Sequence, residues 1–389
     1  MKKFLALMMA GALTLGLLTA CGGSEPAPAP APGGDDGAVV LKIGGIGPTT
    51  GGAAIYGQAC DWAAQVAVAE INAMQDDFVL ELRFEDDEHD AEKSVNAFHT
   101  LQDWDVDVIY GCTTSAPCVA VAGETYGERY FQLTPSATST DVTAGRDNMF
   151  QLCFTDPGQG VTAAKYISEN GMGTKVAIIY NNADAYSTGI YEAFKAEAAR
   201  LDLEIVSTTT FTTDTASDFS VQIGDAKANG AELVFLPIYY EPSSLILFQA
   251  DSADYAPIFF GVDGMDGILS LKGFNKDLAE GVHLLTPFSA DSEDEKTKSF
   301  VTKYQEKHGE IPNQFAADAY DAMYIIKAAV EKAGVTPDMS ISDICEAMKP
   351  AMTEITVDGV TGEMTWSADG EPTKSPKAMI IKDGSYSAL

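Results

Sequence analysis

Hydrophobic and polar positions alternate along this chain in a way that predicts short strands separated by helices. A first series of short apolar or alternating runs predicts strands at 39–43, 79–84, 106–110 and 130–134. Longer stretches with an apolar face predict helices between them at 58–73, 91–104 and 116–126. The glycine-rich segment 44–52 that follows the first strand is interpreted as a tight turn needing positive φ.

A second series repeats the pattern. Its predicted strands lie at 175–180, 204–210, 233–237, 257–260 and 281–286, and its predicted helices at 158–170, 188–201, 218–229 and 243–250. Three more helices are predicted at 294–308, 315–333 and 341–348, with short strands at 363–366 and 378–381. Two series of similar size predict an α/β protein of two doubly wound, Rossmann-like lobes, each with a parallel sheet covered by helices.

The first residues form a segment distinct from this body. Lys2 and Lys3 precede an apolar stretch at 4–18, and the sequence Leu-Thr-Ala-Cys ends at Cys21. This arrangement resembles a bacterial lipobox and predicts a signal peptide at 1–20 and a lipid on Cys21; an ordinary secretory signal is the alternative. Residues 22–38, rich in Pro, Ala and Gly, then predict a tether. We therefore expect an extracytoplasmic protein, lipid-anchored to the cell membrane at a Gram-positive surface or in a periplasm.

Charge and motif content exclude several classes of function. The chain has 57 Asp and Glu against 24 Lys and Arg, a net charge of −33, which argues against nucleic-acid binding. Its four histidines show no metalloprotease spacing, and no serine stands in a nucleophile-elbow motif. The acidic run 85–90 around His89 is interpreted as a solvated surface rather than a metal site. We therefore expect no enzyme, no cofactor and no metal.

Five cysteines follow Cys21, and in an exported protein they could form disulfides. They are Cys60, Cys112, Cys118, Cys153 and Cys345. The number is odd, so at least one is free or pairs outside the chain, and connectivity does not follow from sequence. Cys112 and Cys118 are close in sequence and are the first pair to test.

Polar and aromatic residues follow several predicted strands, where doubly wound sheets bind ligands. Hydroxyls occur at 113–115 and 134–140, and Tyr186, Tyr239, Tyr240 and Asp263 follow strands of the second series. The hydroxyls could cap helices, with Ser115 as the cap, or bind a carboxylate at a helix N-terminus. A dinucleotide fingerprint is not favoured, because Pro48 interrupts the GxG sequence.

Taken together, these segments resemble the extracytoplasmic solute-binding proteins of ABC importers for branched-chain amino acids. The resemblance covers about 41–389 and rests on the order of several motifs: IGGIGPTTGGAAIYG at 43–57, VIYGCTTS at 108–115, PSAT at 135–138 and GQGVTAAKY at 158–166. It implies the type I periplasmic-binding-protein fold, with two lobes joined by three crossing segments. The implied boundaries are 39–153 with 287–365 for lobe 1, and 154–286 with 366–389 for lobe 2.

The resemblance also implies a ligand site between the lobes. Thr113 and Thr138 would hold an amino-acid carboxylate, while the Ser136 carbonyl, the Thr138 hydroxyl and Asp263 would bind the ammonium group. The other implied ligand-binding residues are Tyr56, Cys112, Ala137, Tyr186, and Tyr239 or Tyr240. The chain departs from the family's pattern at Asp263, where a longer Glu is usual, and at Glu88 or His89, where a cysteine partner is missing.

From the resemblance we expect a monomer that passes its ligand to a membrane permease and its ATPase. The implied ligand is an amino acid, with Leu, Ile or Val favoured. An aromatic or polar amino acid, a short amide or a carboxylic acid stays open as an alternative.

Overall fold

The structure is a computed structural model that describes residues 39–74, 78–336 and 338–388. The predicted signal peptide 1–20, Cys21 and the tether 22–38 lie outside the described residues. Among the residues that are described, no helix is both long enough and apolar enough to cross a membrane.

The first part of the chain forms a five-stranded sheet in which all strands are parallel. The strands are β1 (Val39–Gly47), β2 (Phe78–Asp86), β3 (Val108–Gly111), β4 (Phe131–Thr134) and β5 (Met149–Gln151), in the spatial order β2-β1-β3-β4-β5. The connecting helices are α1 (Ala54–Ala73), α2 (Ala91–Gln102) and α3 (Ser115–Glu128). Four strands and three helices were predicted here, whereas β5 was not.

The expected turn at 44–52 is partly wrong, because β1 continues to Gly47 and only Gly51 in this segment has a positive φ, 79°. Glycine is needed at position 47 for a different reason. A Cβ atom on Gly47 would lie 2.2 Å from Thr113 Oγ1 on the neighbouring strand end. The glycine therefore lets the Thr113 hydroxyl approach the backbone of β1.

The remainder of the chain adds nine strands and seven α-helices among the described residues. The strands are β6 (Lys175–Asn181), β7 (Glu204–Phe211), β8 (Leu233–Leu236), β9 (Ile258–Gly261), β10 (His283–Thr286), β11 (Val357–Gly359), β12 (Gly362–Met364), β13 (Lys377–Lys382) and β14 (Ser385–Ala388). The helices are α4 (Asp156–Glu169), α5 (Ala185–Arg200), α6 (Ser220–Ala228), α7 (Tyr240–Ser252), α8 (Glu295–His308), α9 (Gln314–Ala333) and α10 (Ile341–Glu354).

The second sheet has the order β14-β13-β10-β9-β8-β6-β7. Its strands β6 to β10 are parallel and repeat the order of the first sheet. Strands β13 and β14 extend it as an antiparallel hairpin, so the expectation of a purely parallel sheet is wrong at this edge. The hairpin turn is Asp383-Gly384, whose φ angles of 51° and 70° match the turns that join adjacent antiparallel strands.

The chain passes between the two sheets three times, at 152–155, 287–294 and 365–376. After the second passage, α8 to α10 return to the first sheet, and α9 lies along α1. Two contacts show this packing: the Tyr56 ring stacks on Phe315 at 4.0 Å, and Tyr324 OH donates to Glu70 Oε2 at 2.9 Å. The α/β fold class with two doubly wound lobes is therefore confirmed, and we call them the first and second lobe after their sheets.

All five cysteines of the described chain are free and buried. A Cys112–Cys118 disulfide is therefore not formed. Cys118 Sγ instead lies 3.6 Å from the carbonyl oxygen of Gly111, and both side chains pack in the core beside α2 and α3. Here the two cysteines act as small apolar side chains.

A buried ion pair ties the third passage to α9. Lys374 Nζ lies 2.5 Å from Asp318 Oδ1, and both side chains are only 3% exposed. Lys374 also donates to Thr361 Oγ1 at 2.7 Å, and Asp321 accepts from the backbone N–H of Thr361 at 2.9 Å. Every charged group of this cluster thus has a partner, which a buried ion needs.

Candidate ligand-binding site between the two sheets

A small cavity lies where the carboxyl ends of the two sheets face each other. It has a volume of about 10 Å³. Its lining residues from the first lobe are Thr113, Thr114, Ser115, Ser136 and Phe315, and those from the second lobe are Tyr186, Tyr239, Asp263 and Gly264. The structure therefore brings together five of the predicted site residues: Thr113, Ser136, Tyr186, Tyr239 and Asp263.

The first-lobe side of the cavity carries hydroxyl groups. Thr113 is 1% exposed, and its Oγ1 has no hydrogen-bond partner among the described residues. Ser136 Oγ donates to the Thr113 carbonyl at 2.7 Å, which fixes the β3 and β4 strand ends to each other. The cavity thus presents an unpaired buried hydroxyl, which is costly unless a ligand completes its hydrogen bonding.

Helix α3 begins at this side of the cavity. The predicted cap at Ser115 is wrong: Thr114 is the N-cap, it makes no side-chain capping bond, and Ser115 Oγ accepts from the Ser139 N–H at 3.2 Å. A helix N-terminus without a side-chain cap leaves N–H groups able to bind an anion. Because the N-terminus of α3 lies beside Thr113, this end of the cavity is suited to a carboxylate.

The opposite side of the cavity carries a buried acid. Asp263 is 3% exposed, and its Oδ1 accepts from Tyr186 OH at 2.7 Å. Its backbone N–H donates to Gln159 Oε1 at 3.1 Å, so α4 helps to position it. Burial raises the pKa of Asp263 to about 6, since removal from water disfavours the charged carboxylate. A cationic group placed here would reverse that effect.

Aromatic rings form the remaining wall. Tyr239 stacks on Tyr186 at 4.7 Å, and the ring of His89 meets it edge-on at 5.4 Å. Of the two predicted tyrosines, Tyr239 lines the cavity, whereas Tyr240 does not and its hydroxyl accepts from the N–H of Ile55 at 3.4 Å. His89 Nδ1 lies 2.8 Å from Thr114 Oγ1. His89 is one of the two residues that stand where the resemblance implied a cysteine.

Three predicted site residues lie behind the cavity lining. The side chains of Cys112 and Ala137 pack in the core of the first lobe and do not line the cavity. Thr138 is fully buried, its Oγ1 has no partner among the described residues, and its carbonyl accepts from the N–H of Asp156 at 2.9 Å. Of these three, only Thr138 has a free side-chain group for a ligand.

The sequence analysis missed several residues of the site. Phe315 comes from α9, far along the chain, and Gly264 follows Asp263 in a short 3₁₀ turn. Asp156 and Gln159 belong to the first turns of α4, which follows β5. A strand prediction at β5 would have marked the following segment as a strand end and directed attention to Asp156.

Tyr56 of α1 connects the lobes directly. Its fully buried hydroxyl donates to the carbonyl of Gly264 and accepts from the N–H of Tyr240 at 3.2 Å. Both partners belong to the second lobe. The hydroxyl therefore bridges the two lobes beside the cavity.

We expect Tyr56→Phe to weaken ligand binding about threefold to tenfold, because one buried hydrogen bond contributes about 0.5–1.5 kcal/mol and this one forms only when the lobes meet. Isothermal titration calorimetry measures the change. Tyr255→Phe is the matched control, since Tyr255 OH donates to Ala231 within the second lobe at 3.0 Å. Equal affinities of the two variants would contradict a role of Tyr56 in closure.

Comparison with known proteins shows to which protein family the chain belongs. The chain belongs to the periplasmic binding protein family, whose model matches residues 40–384. This membership makes the chain a solute-binding protein rather than an enzyme, as expected from its motifs.

The particular relatives confirm the resemblance to the branched-chain type. A Leu/Ile/Val-binding protein homolog of Brucella melitensis is 29% identical over 298 residues, which are 75% of this chain and 78% of that protein. Among solved structures, the branched-chain amino acid transporter substrate-binding protein LivJ of Streptococcus pneumoniae, in complex with isoleucine, has a TM-score of 0.82 at 26% identity, covering 90% of this chain and 99% of that one. The leucine-binding protein LivK of Thermotoga maritima has a TM-score of 0.80 at 25% identity, covering 90% and 97%.

Proposed function

We propose that the chain binds an amino acid between its lobes and delivers it to the permease of an ABC importer. One observation carries the proposal: an unpaired hydroxyl and an uncapped helix N-terminus face a buried acid across the same cavity. No basic side chain lines this cavity in the described chain. A zwitterion matches it, since its carboxylate meets neutral donors and its ammonium meets Asp263.

Binding requires the lobes to move. A cavity of about 10 Å³ holds roughly one water molecule, whereas small-molecule pockets commonly measure ~300–1,000 Å³. The three passages at 152–155, 287–294 and 365–376 would act as the hinge. In this proposal, the ligand first binds to Thr113, Ser136 and Thr138 of the first lobe. The second lobe then closes with Tyr186, Tyr239 and Asp263.

The proposal assigns the two lobes the boundaries implied by the sequence, 39–153 with 287–365 and 154–286 with 366–389. The return of α8 to α10 to the first sheet and the addition of β13 and β14 to the second support this division. We further propose that the protein is a monomer held at the outer face of the membrane by a lipid on Cys21. Mass spectrometry of the membrane fraction tests the anchor.

The ligand is proposed to be a branched-chain amino acid. The names of the relatives support this choice, as does the aromatic wall, which offers an apolar surface beside the polar groups. The short Asp263, in place of the usual Glu, is the departure that a ligand screen must address.

We expect one or a few of the twenty amino acids to raise the unfolding midpoint of residues 22–389. A ligand at 100 times its Kd stabilises a protein by about 2.7 kcal/mol, which thermal-shift measurements resolve. Unfolding and refolding beforehand removes copurified ligand. Stabilisation by Leu, Ile or Val supports the proposal, whereas stabilisation only by molecules without an amine overturns the amino-acid assignment.

A further inference from the structure

Asp156 is a second acid beside the site, and neither of its carboxylate oxygens has a hydrogen-bond partner among the described residues. It is 1% exposed and is the first residue of α4, at the end of the first passage between the lobes. The N-cap bond of this helix comes from Thr155 instead, whose side chain accepts from the N–H of Gly158 at 3.4 Å. Capping of α4 therefore does not account for the Asp156 side chain.

The surroundings of Asp156 belong to the ligand site. Its backbone N–H donates to the Thr138 carbonyl at 2.9 Å, and the Thr138 hydroxyl is itself unpaired. On the other side, Gly189 of α5 leaves the carboxylate room, because a Cβ there would lie 3.0 Å from Asp156 Oδ2. One turn further along α4, the side chain of Gln159 accepts a hydrogen bond from the backbone N–H of Asp263. Asp156 thus lies between the loop that carries Thr138 and the turn that carries Asp263.

The charges around Asp156 are of one sign. Burial raises its pKa well above the ordinary value, and the charges of Asp263, Asp184 and Asp141 raise it further, while the Thr138 hydroxyl lowers it. These groups come from three different segments, and none of them carries a positive charge. Without a cation nearby, the buried acid is held in its neutral form, and a cationic ligand bound beside it would restore the charged carboxylate.

We propose that Asp156 is a second ligand-binding acid, which together with Asp263 holds the ammonium group of the bound amino acid. This inference rests on the proposed function. A primary ammonium has three N–H donors, and Asp156, Asp263 and Thr138 Oγ1 offer three acceptors for them. The site therefore selects ligands with a primary amine more strongly than Asp263 alone could.

The test compares L-leucine with 4-methylpentanoate, the same molecule without its amine, by calorimetric titration of the purified protein. We expect Asp156→Asn to weaken leucine binding at least tenfold and to leave 4-methylpentanoate binding nearly unchanged. A merely structural role for Asp156 would weaken both ligands alike. Asp343→Asn is the matched control, because Asp343 also stands in the first turn of a helix, but its carboxylate accepts from Ser340 Oγ at 2.7 Å and it does not line the cavity. Its ratio of affinities should equal that of the wild type.

The outcomes separate the two proposals. If the wild-type protein binds 4-methylpentanoate as tightly as L-leucine, the proposed amino-acid function fails. If the wild type prefers leucine and Asp156→Asn keeps the same preference, the function stands and the role of Asp156 is refuted. Circular dichroism of the variant confirms that it is folded before its affinities are compared.

Discussion

Asparagine in place of Asp263 is expected to weaken amino-acid binding by about 1.5–3 kcal/mol, roughly 10- to 150-fold in Kd. The substitution keeps the shape of the side chain and the bond from Tyr186 but removes the charge that faces the ammonium group. Asp107→Asn serves as the control, since Asp107 accepts from the N–H of Lys42 at 2.8 Å, ahead of β3 and so at the opposite end of that strand. Titration calorimetry of both variants measures the difference.

The same residue should make binding depend on pH. Protonated Asp263 has no charge for the ligand, and burial places its pKa at about 6 in the ligand-free protein. The contribution of Asp263 to affinity should therefore be nearly constant above pH 7 and decrease as the pH falls through 6, by at most tenfold per unit for this one carboxyl group. Asp156, proposed above as the second ligand-binding acid, also has a raised pKa and adds its own pH dependence, so Asp263→Asn should flatten the profile without abolishing it. A wild-type affinity that stays constant down to pH 5 would contradict the assignment of Asp263.

Removal of the Lys374 side chain is expected to have the largest effect on stability. Lys374→Ala leaves Asp318 buried without its cation, a change that typically costs about 3–5 kcal/mol. Burial raises the pKa of Asp318 to about 7 even in the presence of the lysine, so without Lys374 the carboxyl group becomes protonated at neutral pH. Urea unfolding without ligand measures the loss in free energy of unfolding.

Two further variants test whether burial of the ion pair explains the loss of stability. Lys296→Ala removes an exposed ion pair of 2.7 Å with Asp358 and should change stability by no more than about 1 kcal/mol. The double variant Lys374→Met with Asp318→Leu removes both charges and should recover much of the loss. If Lys374→Ala destabilises no more than Lys296→Ala, the buried pair does not hold the third passage in place.

Most strands and helices could be predicted from their patterns, whereas β5, β11 and β14 could not. The runs that became β1, β6 and α9 are long enough for their period to be recognised. The three-residue β5 has no period of its own, and its strand geometry follows from pairing with β4. Similarly, α1 begins at Ala54, four residues before its predicted start, because Gly51 and Gly52 were interpreted as continuing the turn.

The residues of the candidate site also form two groups, those that the sequence indicated and those that it did not. Thr113, Ser136 and Asp263 directly follow apolar strands, so the topology of a doubly wound sheet was enough to place them at one edge. Phe315 reaches the cavity from a helix that joins the first lobe after the chain has built most of the second. Asp156 was missed because β5 was missed, and its significance depends on the absence of a hydrogen-bond partner, which only the folded structure reveals. Sequence patterns thus located the groups next to strands but not those brought in by helix packing.

The late return of the chain to its first lobe has a consequence for folding rate. The stacking of Tyr56 on Phe315 and the bond from Trp366 Nε1 to the Gln151 carbonyl join residues more than 200 positions apart. Contacts of such sequence separation slow folding, since long loops must close before the contacts form. Neither sheet can gain its full cover until the last quarter of the chain is available. We therefore expect a nascent chain to stay open for longer than two independent domains would, until its C-terminal hairpin is available.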